Sequence, residues 1–229
     1  MDLHVRCLYT HDGQDRTVAV NEPDNTSITA ARFHLGRTSR GNIWRFHRDV
    51  PALLADRIEE LCEREPALND DRERPPLHAA DYLELIESNF QVFNVSAGPL
   101  YHWAKSPAIF DRNVCRINEK NSGFVKGAFE EMSSEVATWQ PFVALLEDER
   151  AVSVCRSARI TEAAHEAGVE TLPEFRGRGY AAKVTDAWAR DVLALGGIPL
   201  YSTSWENNAS QAVARKLNLE FVGSDYEIG

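Results

Sequence analysis

From about residue 120 onward the hydrophobic and polar positions alternate regularly enough to predict elements. "PFVALLED" and "RAVSVCRSARI" predict two strands joined by a turn at "EDER", and "AHEAGVETL" predicts a third. "GFVKGAFEEMS", just before them, predicts a helix. "AAKVTDAWARDVLAL" places Val184, Trp188 and Val192 on one face at helical spacing and stops at Gly196-Gly197, which predicts an amphipathic helix. "IPLYSTS" predicts a strand, "NASQAVARKL" a second helix capped by Asn207 or Asn208, and "EFVGSDYEI" a closing strand. The predicted order is β-β-β-loop-α-β-α-β.

The pattern is weaker before about residue 120. "VPALLADRIEELCE" has helical periodicity, "ITAARFHLG" and "NIWRFH" read as short strands, and "FNVSAGPLYHWA" and "NVCRINEK" are broken by Gly and Pro. "EREPALNDDRERPP", with three prolines and dense charge, reads as a solvated connection. Phe33, His34, Trp44, Phe46, His47, Tyr101, His102 and Trp103 fit either a ligand pocket or plain core at alternate strand positions. No internal repeat is visible. The expected division is an N-terminal α/β region over residues 1–105 and a second domain over 106–229.

Charge and cysteine usage narrow the function classes. The formal net charge is −10 in 229 residues, shared equally between the two parts, and Lys and Arg do not cluster as phosphate contacts to nucleic acid require. An acidic field favours cationic ligands. Cys7, Cys62, Cys115 and Cys155 lie far apart without metal-ligand spacing, which suits free thiols. The chain lacks a basic-then-apolar leader and any run of about 20 apolar residues, so a cytoplasmic protein without bound metal is expected.

"PEFRGRGYAAKV", residues 173–184, carries the first specific chemistry. A strand-to-helix loop offers unpaired N–H groups and a positive dipole end to an anion, and glycine lets the anion approach. Arg176, Gly177, Arg178, Gly179, Tyr180 and Ala181 form that loop, with Lys183 adding positive charge. Gly177-x-Gly179-x-x-Ala182 also satisfies a dinucleotide fingerprint, but the next strand ends in hydroxyls instead of an acidic residue, and too little chain remains for a second βα pair.

The loop and the element order together resemble the GNAT acyltransferase superfamily, whose pyrophosphate loop reads Arg/Gln-x-x-Gly-x-Gly/Ala; Arg176, Gly179 and Ala181 occupy those places. "GVETLPEFRGRGYA" looks like the family's fourth strand and loop, and "ENNASQAVARKLNLEF" like its later motif, so the resemblance covers roughly residues 120–229. It implies an α/β fold of α+β type: a mixed, mostly antiparallel twisted sheet flanked by helices, splayed to admit acetyl-CoA as acyl donor. It further implies backbone contacts from Val169 to Thr171 to pantetheine and contacts from Asn207 and Ser210 to the cofactor. The tyrosine that many members place seven residues after the motif asparagine is Ala214 here.

The implied activity is acetyl transfer to a primary amine of a small molecule or peptide, by direct attack in a ternary complex. The rival reading is a CoA-binding sensor or regulatory module without catalysis. An amine with a pKa near that of lysine must lose a proton before attack, and Glu166, Glu170 and His165, in that order, are the candidate bases. Alternation puts Glu166 and Glu170 on one strand face and His165 with Thr171 on the other. No nucleic acid or membrane partner is expected, and a homodimer is left open.

Overall fold

The computed structural model describes residues 1–134 and 136–229. In chain order the first half forms α1 (Asp2–Leu8), β1 (Tyr9–His11), β2 (Thr17–Val20), β3 (Phe33–Thr38), β4 (Gly41–Phe46), α2 (Ala52–Cys62), α3 (Ala79–Glu87) and β5 (Val95–His102). The second forms β6 (Val114–Arg116), α4 (Glu130–Ser133), β7 (Phe142–Glu147), β8 (Arg150–Ile160), β9 (Ala164–Thr171), α5 (Tyr180–Ala194), β10 (Ile198–Ser202), α6 (Asn208–Lys216) and β11 (Glu220–Ile228). Helix α1, helix α3 and the β1–β2 hairpin are additions to the elements read from the sequence. The helix expected over "GFVKGAFEEMS" is instead a 3-10 turn at Ser122–Val125 followed by the single turn α4. Gly127, at φ 75°, breaks it, and its N–H donates to Glu130 Oε2 instead of continuing the helix.

Nine strands form one sheet in the order β4-β3-β11-β5-β10-β9-β8-β7-β6, mostly antiparallel, with β9 and β10 parallel. Strand β5, from the first half of the chain, lies between β10 and β11 and pairs antiparallel with both. Strand β11 pairs with β3 on its other side, so β3 and β4 extend the same sheet.

Alternation along the strands gives the sheet two differently covered faces. On one, Phe33, Leu35, Tyr226 and Ile228 pack with Leu54, Ile58, Tyr82 and Ile86 of α2 and α3. On the same face Val143, Leu145 and Cys155 meet Val184, Trp188 and Val192, the predicted stripe of α5. Each fully buried large side chain of this kind contributes about 1.5–3 kcal/mol, so burial of that stripe, more than propensity, fixes α5. The opposite face carries α1, where Cys7 packs with Leu100, Ala164 and Leu200, and a separate cluster around Phe129, Trp139 and Phe142. Helix α1 has only seven residues and no side-chain cap, too short to persist alone; its contacts with the sheet hold it.

Candidate active site

The parallel pair β9–β10 is hydrogen-bonded only at its base, through Ala164, His165 and Glu166 opposite Ile198, Pro199 and Leu200. Above Glu166 the strands separate. Strand β9 runs on beside β8 as far as Thr171, and β10 leans onto β5. Gly98 of β5 permits that lean, because a Cβ there would fall on the carbonyl oxygen of Thr203. The β10-facing edge of Ala167–Thr171 is left without a strand partner, and its backbone groups line a V-shaped opening.

The loop from β9 to α5 closes one end of this V. Gly179 is the N-cap of α5 at φ 79°, no side chain caps the helix, and Gly177 sits at φ 76°. The first N–H groups of a 15-residue helix thus remain available to an anion. Arg176 and Arg178 are exposed: Arg176 Nε donates to the Thr171 carbonyl, and Arg178 lies over the Phe175 ring, 3.8 Å from Glu147. Tyr180 is tied by its hydroxyl to Glu147, and Ala181 is half-buried. Lys183, counted from sequence among the loop's cations, is paired with Asp111 at 2.7 Å. The cation that does reach the loop is Lys216 of α6, whose Nζ occupies the space a Cβ on Gly179 would fill. Its place inside the second motif was the only sequence signal for it.

On the other arm, Asn207 caps α6 by accepting the Ser210 N–H at 3.0 Å. Ser210 Oγ lies 2.6 Å from the Tyr201 hydroxyl. Burial pushes the Tyr201 phenol up to about 12, so it remains protonated. Val169 packs under α5 and the Thr171 hydroxyl bonds Ser153, so what these two residues offer the opening is backbone.

The three candidate bases are not together. His165 faces α5, where its Nδ1 meets Ser157 Oγ at 2.9 Å; that hydroxyl also accepts the Trp188 indole N–H. Burial lowers its pKa and keeps it neutral. Glu170 lies exposed on the opposite face near the outer end of β9, about 13 Å from Glu166 at a 3.3 Å rise per residue. Glu166 stands at the apex of the V, 5% exposed, and accepts the Ser202 N–H at 2.6 Å, so its carboxylate bridges the two arms where they part.

Beneath Glu166 runs a chain of ionisable groups that no sequence motif announced. His4 of α1 lies 3.2 Å from Glu166 through Nδ1 and 2.8 Å from Asp225 through Nε2. Asp225 contacts His34 at 3.3 Å, His34 contacts Glu227 at 3.0 Å, and Tyr9 donates to Glu227 at 2.6 Å. Burial alone would lower both histidine pKa values, but the carboxylates outweigh it, raising His4 to about 10 and His34 to about 9. Burial likewise opposes ionisation of Asp225 and Glu227, yet His4 and His34 hold Asp225, and His34 with the Tyr9 hydroxyl holds Glu227, below the ordinary carboxylate range.

This sets a pH signature for stability. The histidine contribution is complete below the unfolded value of 6.5 and is lost as pH rises through about 9 and 10. The carboxylate contribution is complete above the unfolded values of 3.8 and 4.5 and is lost as pH falls through the depressed ones. The melting temperature is therefore expected to be highest between about pH 5 and 6.5 and to decline on both sides. His34→Gln should flatten the alkaline decline in a calorimetric pH series; an unchanged slope would show that this network does not cause it.

A mixed, mostly antiparallel sheet splayed at one parallel pair, with a glycine-rich loop at the head of the next helix, is the arrangement around which the site is built. A family model, GNAT acetyltransferase, matches residues 116–228. Residues 116–228 form a GNAT acetyltransferase domain, which makes the protein an acyltransferase. The sheet also resembles a GNAT-family structure from Novosphingobium aromaticivorans at 18% identity, over 60% of this chain and 65% of that one, TM-score 0.48. It resembles a GNAT-family acetyltransferase from Colwellia psychrerythraea at 13% identity, over 82% and 76%, TM-score 0.49. A GCN5-related N-acetyltransferase-like protein from Streptococcus suis aligns at 18% identity over 86% and 84%, TM-score 0.47. No curated protein sequence matches the chain. Among the described residues no helix is long and apolar enough to cross a membrane, and no group of His, Cys, Asp and Glu is placed to hold a metal ion.

Proposed function

We propose that the protein is a cytoplasmic N-acetyltransferase that moves an acetyl group from acetyl-CoA to a primary amine by direct transfer in a ternary complex. The observation that carries this reading is the position of Glu166, a buried carboxylate at the apex of the V, bonded to both arms. The opening suits the donor. Gly179, the uncapped N–H groups of α5, Arg176, Arg178 and Lys216 would hold the pyrophosphate, and the unpaired edge of Val169–Thr171 would pair with pantetheine.

Glu166 would take one proton from the bound ammonium, freeing the nitrogen lone pair. That nitrogen forms the new bond to the thioester carbonyl carbon, and negative charge develops on the oxygen, where a fixed backbone N–H of β9 stabilises it. Collapse breaks the carbon–sulfur bond and releases CoA as thiolate, and the extra proton on the new amide nitrogen passes to that thiolate. A free thiol has a pKa near 8.5, so the thiolate is a competent leaving group even though Ala214 replaces the family's tyrosine. Holding amine and thioester together supplies the proximity contribution. Residues 1–105 build the acceptor side of the site in this reading.

The test is direct: incubate the protein with acetyl-CoA and a panel of primary amines, and follow thiol release. Amine-dependent release above the hydrolysis background is expected for at least one acceptor. Tight CoA binding without release for any amine would favour the non-catalytic module.

A further inference from the structure

On the α1 side of the sheet, directly below the V, lies a cavity of about 290 Å³ whose wall includes His4, Tyr9, Ser96, Ser202, Asp225 and Glu227. It adjoins the end of β10 at Ser202–Ser204, so it opens onto the face of the apex opposite α5. At about 30 Å³ per water-sized group, it admits roughly ten such groups, a small acceptor or the amine end of a longer one. Its charge balance is set by the buried chain beside it. Glu166, Asp225 and Glu227 oppose the two imidazoliums of His4 and His34 and leave one net negative charge, while Arg159 is spent on Glu22 at 2.9 Å.

Two residues of the cavity wall touch the candidate base: Ser202 through its backbone N–H, and His4 through its side chain. His4 is 1% exposed and comes from the N-terminal helix, outside the segment matched to the family. Other ionisable groups near Glu166 are less able to set its charge. Cys7 of α1 is buried as a thiol with its pKa pushed up, Tyr201 of β10 remains a phenol, and Arg159 of β8 is paired elsewhere. Glu166 Oε2 and His4 Nδ1 are both buried without a hydrogen-bond partner among the described residues, and they lie 3.2 Å apart as an ion pair.

We propose that the cavity beneath α1 receives the acceptor, a small cationic primary amine, and that His4 is the positioning residue that fixes the Glu166 carboxylate at the apex. This rests on Glu166 being the base. The His4 ring on one oxygen and the Ser202 N–H on the other hold the carboxylate in place between the arms. Removing an opposite charge at this distance shifts a carboxylate by about 1–3 pH units.

The experiment measures kcat/KM against pH for an accepted amine in the wild type, His4→Gln, Glu166→Gln and Val20→Phe. His4→Gln should fold, bind CoA as the wild type does, and move the acidic limb up by at least about one unit. A folded His4→Gln with the wild-type limb overturns the role of His4. Glu166→Gln separates the two readings. If it turns over normally, the base assignment itself is wrong; if it is inactive while the His4→Gln limb is unmoved, only the present inference fails. Val20, on the cavity wall, tests the acceptor site: Val20→Phe should raise the acceptor KM about tenfold, a loss near 1.4 kcal/mol, with CoA affinity unchanged, and an unaltered KM overturns that part. Should His4→Gln not fold, nitrogen-15 spectra of the wild-type histidines decide the point. A His4 ring doubly protonated at pH 8 is expected, and a neutral ring at pH 7 overturns the proposal.

Discussion

Glu166→Gln is expected to lower turnover of a matched amine by about 10²–10⁴-fold, while CoA affinity stays at the wild-type level. Glutamine keeps the volume of the side chain and, with its carbonyl oxygen, can still accept the Ser202 N–H that ties β9 to β10. The splay and the donor site should therefore survive. What is lost is a group that accepts a proton. The loss should be smaller at high pH, where more of the amine arrives already neutral. Steady-state kinetics across pH 6–9 test this, and equal turnover over that whole range would remove Glu166 from the reaction. Glu170→Gln is the internal control, because its carboxylate is exposed and about four strand residues away; its turnover should remain near wild type.

The second large effect concerns the donor. Gly179→Val should abolish measurable CoA binding in a protein that still folds. Valine at φ 79° is strained by about 1–2 kcal/mol, tolerable against the 5–15 kcal/mol typical of a native domain. Its methyl groups would enter the space in front of the α5 N–H groups and displace Lys216, removing the anion's seat and one of its cations together. Gly177 makes the contrast. Its φ is also positive, but a Cβ there meets nothing within 4 Å; Gly177→Asn, a residue that tolerates this conformation, should keep most of the affinity. In the wild type, CoA at 100 times its dissociation constant adds about 2.7 kcal/mol to stability. That shift in melting temperature should vanish in Gly179→Val and persist in Gly177→Asn; a normal shift in Gly179→Val would contradict this account of the loop.

The β9–α5 loop and the helices beside it were legible in the sequence because their signals are local. The stripe of Val184, Trp188 and Val192, the Arg-Gly-Arg-Gly loop and the Asn207 cap each fall within one turn or one element, and each lies where the pattern put it. Alternation on β9 also separated Glu166 from His165 correctly, since a strand without an internal bulge cannot place neighbours on one face. The buried ion chain beneath Glu166 was not legible, for a physical reason. His4 and Asp225 are 221 positions apart and meet only because β11 and α1 close on the same face. His34 was visible as a histidine among aromatics on a short strand, where pocket and core look alike. Its neighbours Phe33 and Leu35 are core, and the pleat alone turns His34 toward the ion chain. Lys216 reads as an ordinary basic residue at a helix end until the fold brings α6 against the loop.

The placement of β5 between β10 and β11 ties the fates of the two halves together. Each edge of β5 is bonded to a strand of the catalytic half, so loosening of the first hundred residues cannot proceed as a private fluctuation of a companion module. It withdraws the support on which β10 leans and unseats the last strand, with Asp225 and Glu227 on it. The chain's cooperativity is thus built into β5, and breathing of the sheet there is shared between its two halves.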